Sequence, residues 1–243
     1  MKTGAVRTLL CLLVFGVGCS SKEDVTLTVE ERLLASDYLR ALDKIGPHRL
    51  HADLSVTSSG PAGTAHESLT EDADVDIHGN YRVKRREDKG KSPWEILSIG
   101  SNYYLTQPNG KVQMIEPGLL GQTTLKRAGE AWKTVLEPFA GAFVLSEQTP
   151  GKIGERPALQ FKISLIEGAK APESAVFAPE ALSGTIVLDK ETSFPVSVKL
   201  KARYVRTDEG KPSVSVDIDS FSFKVSDLGG VQALRPPIVP VTK

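Results

Sequence analysis

From Leu50 onward the apolar residues fall at every second position, and that period of two decides most of what this chain can become. Leu50, Ala52, Leu54 and Val56 alternate with His51, Asp53, Ser55 and Thr57. Ala73, Val75 and Ile77 alternate with Asp74, Asp76 and His78, and Tyr81, Val83 and Arg85 resume after a His78-Gly79-Asn80 turn. Successive side chains of a strand point to opposite faces, so each segment predicts a strand with one buried and one solvated face. Trp94–Ile99, Asn102–Gln107 and Val112–Ile115 are short strands parted by Gly100-Ser101 and Pro108-Asn109-Gly110. Together they predict an antiparallel meander that needs no helical crossover.

Strands resume at Phe143–Glu147, Leu159–Ile166, Gly184–Asp189, Val196–Arg206 and Ser213–Val225. The stretch Glu167–Ser183, rich in Ala, Pro and Glu, reads as a loop or short helix. The last strand changes phase: Val214, Val216 and Ile218 are even, whereas Phe221, Phe223 and Val225 are odd. A β-bulge near Asp219-Ser220 would return both sets to one face. The tail Arg235–Pro240 is too rich in proline to join a central strand.

Two segments carry a helical period instead. Thr28-Val29-Glu30-Glu31 is a capping box, and Leu33, Leu34, Tyr38, Leu39, Leu42 and Ile45 form one apolar stripe ending at Gly46-Pro47. This predicts a helix over 29–45. Ala128, Ala131, Trp132, Val135, Leu136 and Phe139 predict a second over 126–143, with Pro138 as a break or kink. No linker or internal repeat divides the chain, so one domain over 28–243 is expected.

The composition is that of a globular protein, with 40% hydrophobic and 25% charged residues. Thirty basic residues balance thirty acidic ones, which leaves no excess to neutralise phosphates and argues against nucleic-acid binding. Residues 1–18 read as a secretory signal: Lys2 and Arg7 precede an uncharged apolar run, Thr8–Val17, too short to span a bilayer. Gly16-Val17-Gly18-Cys19 resembles the lipobox of bacterial lipoproteins, although Gly16 stands where that motif usually has Leu or Val. The resemblance implies lipidation of Cys19 and cleavage before it, with 19–27 as a polar tether. Cys11 leaves with the signal, so no disulfide, thiolate nucleophile or thiolate metal site is expected. Ser20 is not the aspartate that retains enteric lipoproteins in the inner membrane, so the resemblance implies a lipid anchor in the cell envelope, by default at the outer membrane.

Two amphipathic helices cannot cover ten or so strands, but a curved sheet wrapped around them can. The expected fold is mainly β (α+β): a strongly curved antiparallel sheet forming a half-barrel around two or so helices, with a partly filled apolar concavity. This arrangement resembles the LolA/LolB-like lipoprotein-localisation superfamily and the related mycobacterial lipid-carrying lipoproteins. The resemblance lies in the opening helix, in Glu95–Gly100 with Asn102–Leu105, and in Ser183–Asp189 leading through Lys190–Pro195 into Val196-Ser197-Val198. At that last hairpin Ser193 stands where the family often has glycine.

Chemistry is sparse. His48 and His51, or His66 with Glu67, would need to converge with a carboxylate to bind a metal, and residues three apart on a strand face opposite ways, so turn and surface roles are expected. Asp72, Asp74, Asp76 and His78 share one predicted strand face, but a flat strand cannot wrap a calcium ion, so they read as a solvated face. Neither a Gly-x-Ser-x-Gly elbow nor a phosphate loop is present, and Gly60–Gly63 reads as a hairpin tip. Arg82–Arg86 is the one basic cluster; it could touch head groups or polysaccharide, or be a solvated strand balanced by Glu87 and Asp88. Trp132, Phe139, Phe161, Phe221 and Phe223 sit on apolar stripes and read as core rather than ligand stackers, although in a half-barrel the two roles merge.

The expected function is a lipid-anchored envelope protein, not an enzyme, that holds an acyl chain or another apolar ligand as carrier, chaperone or sensor. No cofactor is expected beyond the lipid on Cys19. The expected lining of the cavity is Leu54, Val56, Phe161, Ile163, Val198, Leu200, Phe221 and Phe223. The alternative is an interaction protein whose cavity is filled by its own side chains and which docks an envelope partner.

Overall fold

The computed structural model describes residues 28–88, 94–116, 120–169 and 176–237. The signal, the tether and Cys19 lie outside the described residues. Among the described residues eleven antiparallel strands form one curved, open sheet, a half-barrel. They are β1 (His48–Gly60), β2 (Gly63–Val75), β3 (Tyr81–Glu87), β4 (Trp94–Ile99), β5 (Asn102–Thr106), β6 (Val112–Ile115), β7 (Phe143–Ile153), β8 (Arg156–Leu165), β9 (Phe177–Asp189), β10 (Pro195–Arg206) and β11 (Val214–Ser226). The spatial order is β6-β5-β4-β3-β2-β1-β11-β10-β9-β8-β7. Two meanders therefore meet at the β1–β11 pair. The bulge falls at Asp219: Ser55 faces Ser220 and Val56 faces Ile218. Val216, Ile218, Phe221, Phe223 and Val225 are all buried as a result.

The opening helix is two helices, α1 (Val29–Ala35) and α2 (Tyr38–Ile45). The capping box at Thr28 forms, but Ser36 and Asp37 are extended, and the Asp37 carboxylate accepts from the Leu39 and Arg40 amides to start α2. An N-cap side chain thus interrupts an apolar stripe that continues across the break.

The second predicted helix is also divided, into α3 (Leu120–Gly129), α4 (Ala131–Leu136) and a 3₁₀ turn (Glu137–Phe139). It ends before Phe143, which opens β7. This connection carries the chain from one edge of the sheet to the other, a helical crossover that the meander did not predict. It places α3 on β1–β3, α4 on β11 and the 3₁₀ turn on β9. At the α3 end, Gly129 lies so close to Tyr38 that a Cβ there would sit 2.2 Å from the ring.

Two further expectations are corrected. The segment read as a loop or short helix before Gly184 is strand from Phe177, paired with β10 through Arg206. Strand β2 stops at Val75, so Ile77 is 63% exposed in a turn rather than buried.

A concave face filled at the centre and open at one end

The middle of the concave face is packed solid. Tyr38 from α2, Trp132 from α4 and Phe223 from β11 each pack against Phe194 of the β9–β10 turn, with ring centroids 5.5–6.4 Å apart. Of the eight residues expected to line the cavity, Phe161, Ile163, Val198, Leu200, Phe221 and Phe223 belong to this buried core. Leu54 and Val56 are only half-buried and pack against that core from its margin. Trp132 and Phe139 are also core, as their stripe predicted.

Leu54 and Val56 belong instead to a groove at the far end of the β1–β2 hairpin. Cross-strand partners share a face, so the pairs Leu54–Leu69 and Leu69–Glu87 place three strands on one floor. Leu54, Val56 and Leu69 form its apolar base. Glu67, Arg85, Glu87 and Asp88 form its rim. Its volume is about 520 Å³, within the range of small-molecule sites.

Beside the groove lies a buried ion cluster that the sequence reading missed. Glu71 is only 4% exposed and points into the concave side between Arg127 of α3, at 3.2 Å, and Arg85 of β3, at 3.6 Å. Arg85 also donates to Glu87 at 2.9 Å, and the Arg127 guanidinium lies 5.5 Å from the centroid of the Trp94 ring. Burial pushes the Glu71 carboxyl above its ordinary value, and the two arginines offset this only in part. The signal was present: Glu71 is in phase with Leu69 and Ala73 and so had to face inward.

The histidines and aspartates do not gather. His48 is buried, not at the surface as expected. Its Nδ1 lies 2.6 Å from the Gly46 carbonyl, which can only accept, so Nε2 of the neutral ring accepts from the Tyr38 hydroxyl at 2.8 Å. His51 is on the outer face between Asp72 and Asp53, and His66 meets Thr57. Asp72 and Asp74 keep the outer face of β2. Asp76 leaves it: buried in the turn, its carboxylate accepts from the His78, Asn80 and Leu234 amides and from Asn80 Nδ2. The one-face reading of Asp72, Asp74, Asp76 and His78 is therefore overturned by the end of β2. Among the described residues no three His, Cys, Asp or Glu side chains are placed to hold a metal ion. The basic cluster divides by strand parity. Arg82, Lys84 and Arg86 are exposed, Arg82 pairing with Asp74, while Arg85 faces the groove.

No family model and no curated protein matches the chain. Several solved structures are similar to it. A LolA superfamily protein from Nitrosomonas europaea shares 13% identity over 80% of this chain and 96% of its own, with a TM-score of 0.26. MucB of Pseudomonas aeruginosa, solved in its MucA/MucB complex, shares 11% identity over 82% of this chain and 56% of its own, with a TM-score of 0.24. A putative outer membrane lipoprotein-sorting protein domain from Vibrio parahaemolyticus shares 11% identity over 75% of this chain and 84% of its own, with a TM-score of 0.22.

Proposed function

We propose that this chain is a lipid-anchored cell-envelope protein that binds one apolar chain, an acyl chain or a ligand of like shape, as a carrier, chaperone or sensor rather than an enzyme. The observation that carries the reading is the groove: an apolar base of Leu54, Val56 and Leu69, each only half-buried, with no residue of α3 or the 3₁₀ turn among its described lining. The lipobox at Cys19 supports the anchor and the envelope address. A second reading, a self-filled half-barrel that docks a protein partner, draws on the burial of the other six expected lining residues.

Mass spectrometry of organic extracts separates the two. The chain from Ser20 onward, purified without lipidation, should release a bound lipid under the first reading. A lipid-free extract, together with no uptake of added fatty acid, favours the second. Cys19→Ala tests the anchor: the variant should be neither lipidated nor cut before position 19. Unchanged processing and sedimentation would reject the lipobox assignment.

A further inference from the structure

The polar rim of the groove is unequal in charge. Arg85 is the only cation among its described lining residues, against the carboxylates of Glu67, Glu87 and Asp88. Arg85 is already committed, to Glu71 at 3.6 Å and to Glu87 at 2.9 Å. Arg127, on the other side of Glu71, is committed to that carboxylate. Glu67 and Asp88 form no ion pair with any described residue, and they flank the apolar floor from β2 and from the end of β3. Glu67 sits directly opposite Val56 in the β1–β2 register, so its carboxylate is anchored next to the apolar base.

We propose that the groove selects a small amphiphile with a single apolar chain and a cationic head, an ammonium or guanidinium group, over the same chain with an anionic head. The inference rests on the reading of the groove as an apolar-chain site and adds the charge of its ligand. The chain would lie on Leu54, Val56 and Leu69. The cation would meet Glu67 and Asp88, neither of which is ion-paired to a described residue, at the low-dielectric mouth. An anionic head would face that potential and find Arg85 occupied.

Decyltrimethylammonium and decanoate, both below their micellar concentrations, are the matched probes. Calorimetric titration into the chain from Ser20 onward should give about five-fold tighter binding of the cation at low salt, the ratio falling toward one in high salt, as expected for two partly solvated charges. Shifts of the Leu54, Val56 and Leu69 methyl resonances should locate the chain. Glu67→Gln with Asp88→Asn should equalise the two probes without loss of fold, because both carboxylates are exposed. Equal binding of both probes by the unaltered protein overturns the charge selection and leaves the apolar-chain reading standing. A preference for decanoate also overturns it. Binding of neither probe overturns the inference and the reading beneath it together.

Discussion

Arg156 donates through Nε and Nη2 to the two carboxylate oxygens of Asp189, at 2.9 and 3.1 Å. The same guanidinium reaches the Lys44 carbonyl in the last turn of α2 at 2.8 Å, where a cation also suits the helix dipole. Thr192 donates to Asp189 twice, from its amide and from its hydroxyl. These bonds shape the β9–β10 turn, which in turn places Phe194 against Tyr38, Trp132 and Phe223. One forked ion pair therefore fixes a helix end, a hairpin and the centre of the core.

Burial opposes ionisation of Asp189, but the bonds from Arg156 and Thr192 outweigh it and hold the carboxyl below its ordinary range. Its contribution to stability is present above the unfolded carboxyl value of about 3.9 and is lost as pH falls through the lower native value. Asp189→Asn should cost about 2 kcal/mol in urea unfolding at neutral pH. The difference from the unaltered protein should shrink below about pH 4 as the native carboxyl protonates. A variant as stable as the parent at neutral pH would remove this pair from the account of the fold.

In the same turn Ser193 has φ 57°, a left-handed conformation that a side chain disfavours. This gives a physical reason for the glycine that the resembling family often carries there. Ser193→Gly should raise stability by up to about 1 kcal/mol. Gly129→Ala is the opposite case, because its Cβ would enter the Tyr38 ring. It should cost about 3 kcal/mol, and thermal melting of the two variants should move in opposite directions.

The strand ladder was legible because pleating writes itself into sequence as a period of two, even through the Asp219 bulge, where the phase change is the signature. The break between α1 and α2 was not, because Leu33, Leu34, Tyr38, Leu39, Leu42 and Ile45 keep their helical spacing across it. That break depends on contacts from distant chain: Lys126 Nζ reaches the Asp37 carboxylate at 3.0 Å, and Glu130 accepts from the Tyr38 amide at 2.9 Å. Which part of the concave face stays open was equally hidden. It follows from the path of the β6–β7 connection, which no local pattern specifies, and so the same alternating pattern yields core at Phe223 and groove at Val56.

His48 and His51 should give pH dependences of opposite sign. Burial holds the His48 imidazole below its ordinary value, against the opposing hydrogen bond to Gly46. Its contribution is present above the unfolded value of about 6.5 and is lost as pH falls toward the native value. The bond to Asp72, with help from Asp53, raises His51 despite some burial. That contribution is complete below about 6.5 and is lost as pH rises through the native value. Between pH 7 and pH 5 the buried ring should dominate, because His51 is half exposed and its ion pairs are screened. His48→Gln should therefore flatten the acid loss of stability, and His51→Asn should steepen it slightly. Urea midpoints at the two pH values measure both.

Glu71 should be a carboxylate that the fold holds at a net cost, since burial raises its pKa more than Arg127 and Arg85 lower it. A raised carboxyl value means that stability falls as pH rises through it. Glu71→Gln should accordingly leave stability within about 1 kcal/mol of the parent or increase it. Arg127→Met should lose about 1 kcal/mol, from the partly exposed pair and the Trp94 contact. A large loss in the glutamine variant would show that the charge itself secures α3 on the sheet.

Charge placed on the concave face should separate the filled part from the open part. Phe223 and Ile163 are buried among core side chains, so Phe223→Asp and Ile163→Asp would each place an unpaired carboxylate out of reach of water. The penalty of several kcal/mol is a large share of the stability of any domain. Both variants should be unfolded, or so acid-shifted that they fold only with the new carboxyl protonated. Val56 is half-buried at the groove, where solvent reaches the floor. Val56→Asp should therefore fold with a melting temperature within a few degrees of the parent, about 1 kcal/mol or less in stability. It should also lose any apolar ligand, because the new carboxylate would lie where the chain is expected to rest. Circular dichroism melts and lipid content, measured on the same preparations, decide the matter. A folded but empty Val56→Asp beside two unfolded core variants places the ligand at the groove. A folded Val56→Asp that still carries lipid would move the ligand elsewhere on the molecule.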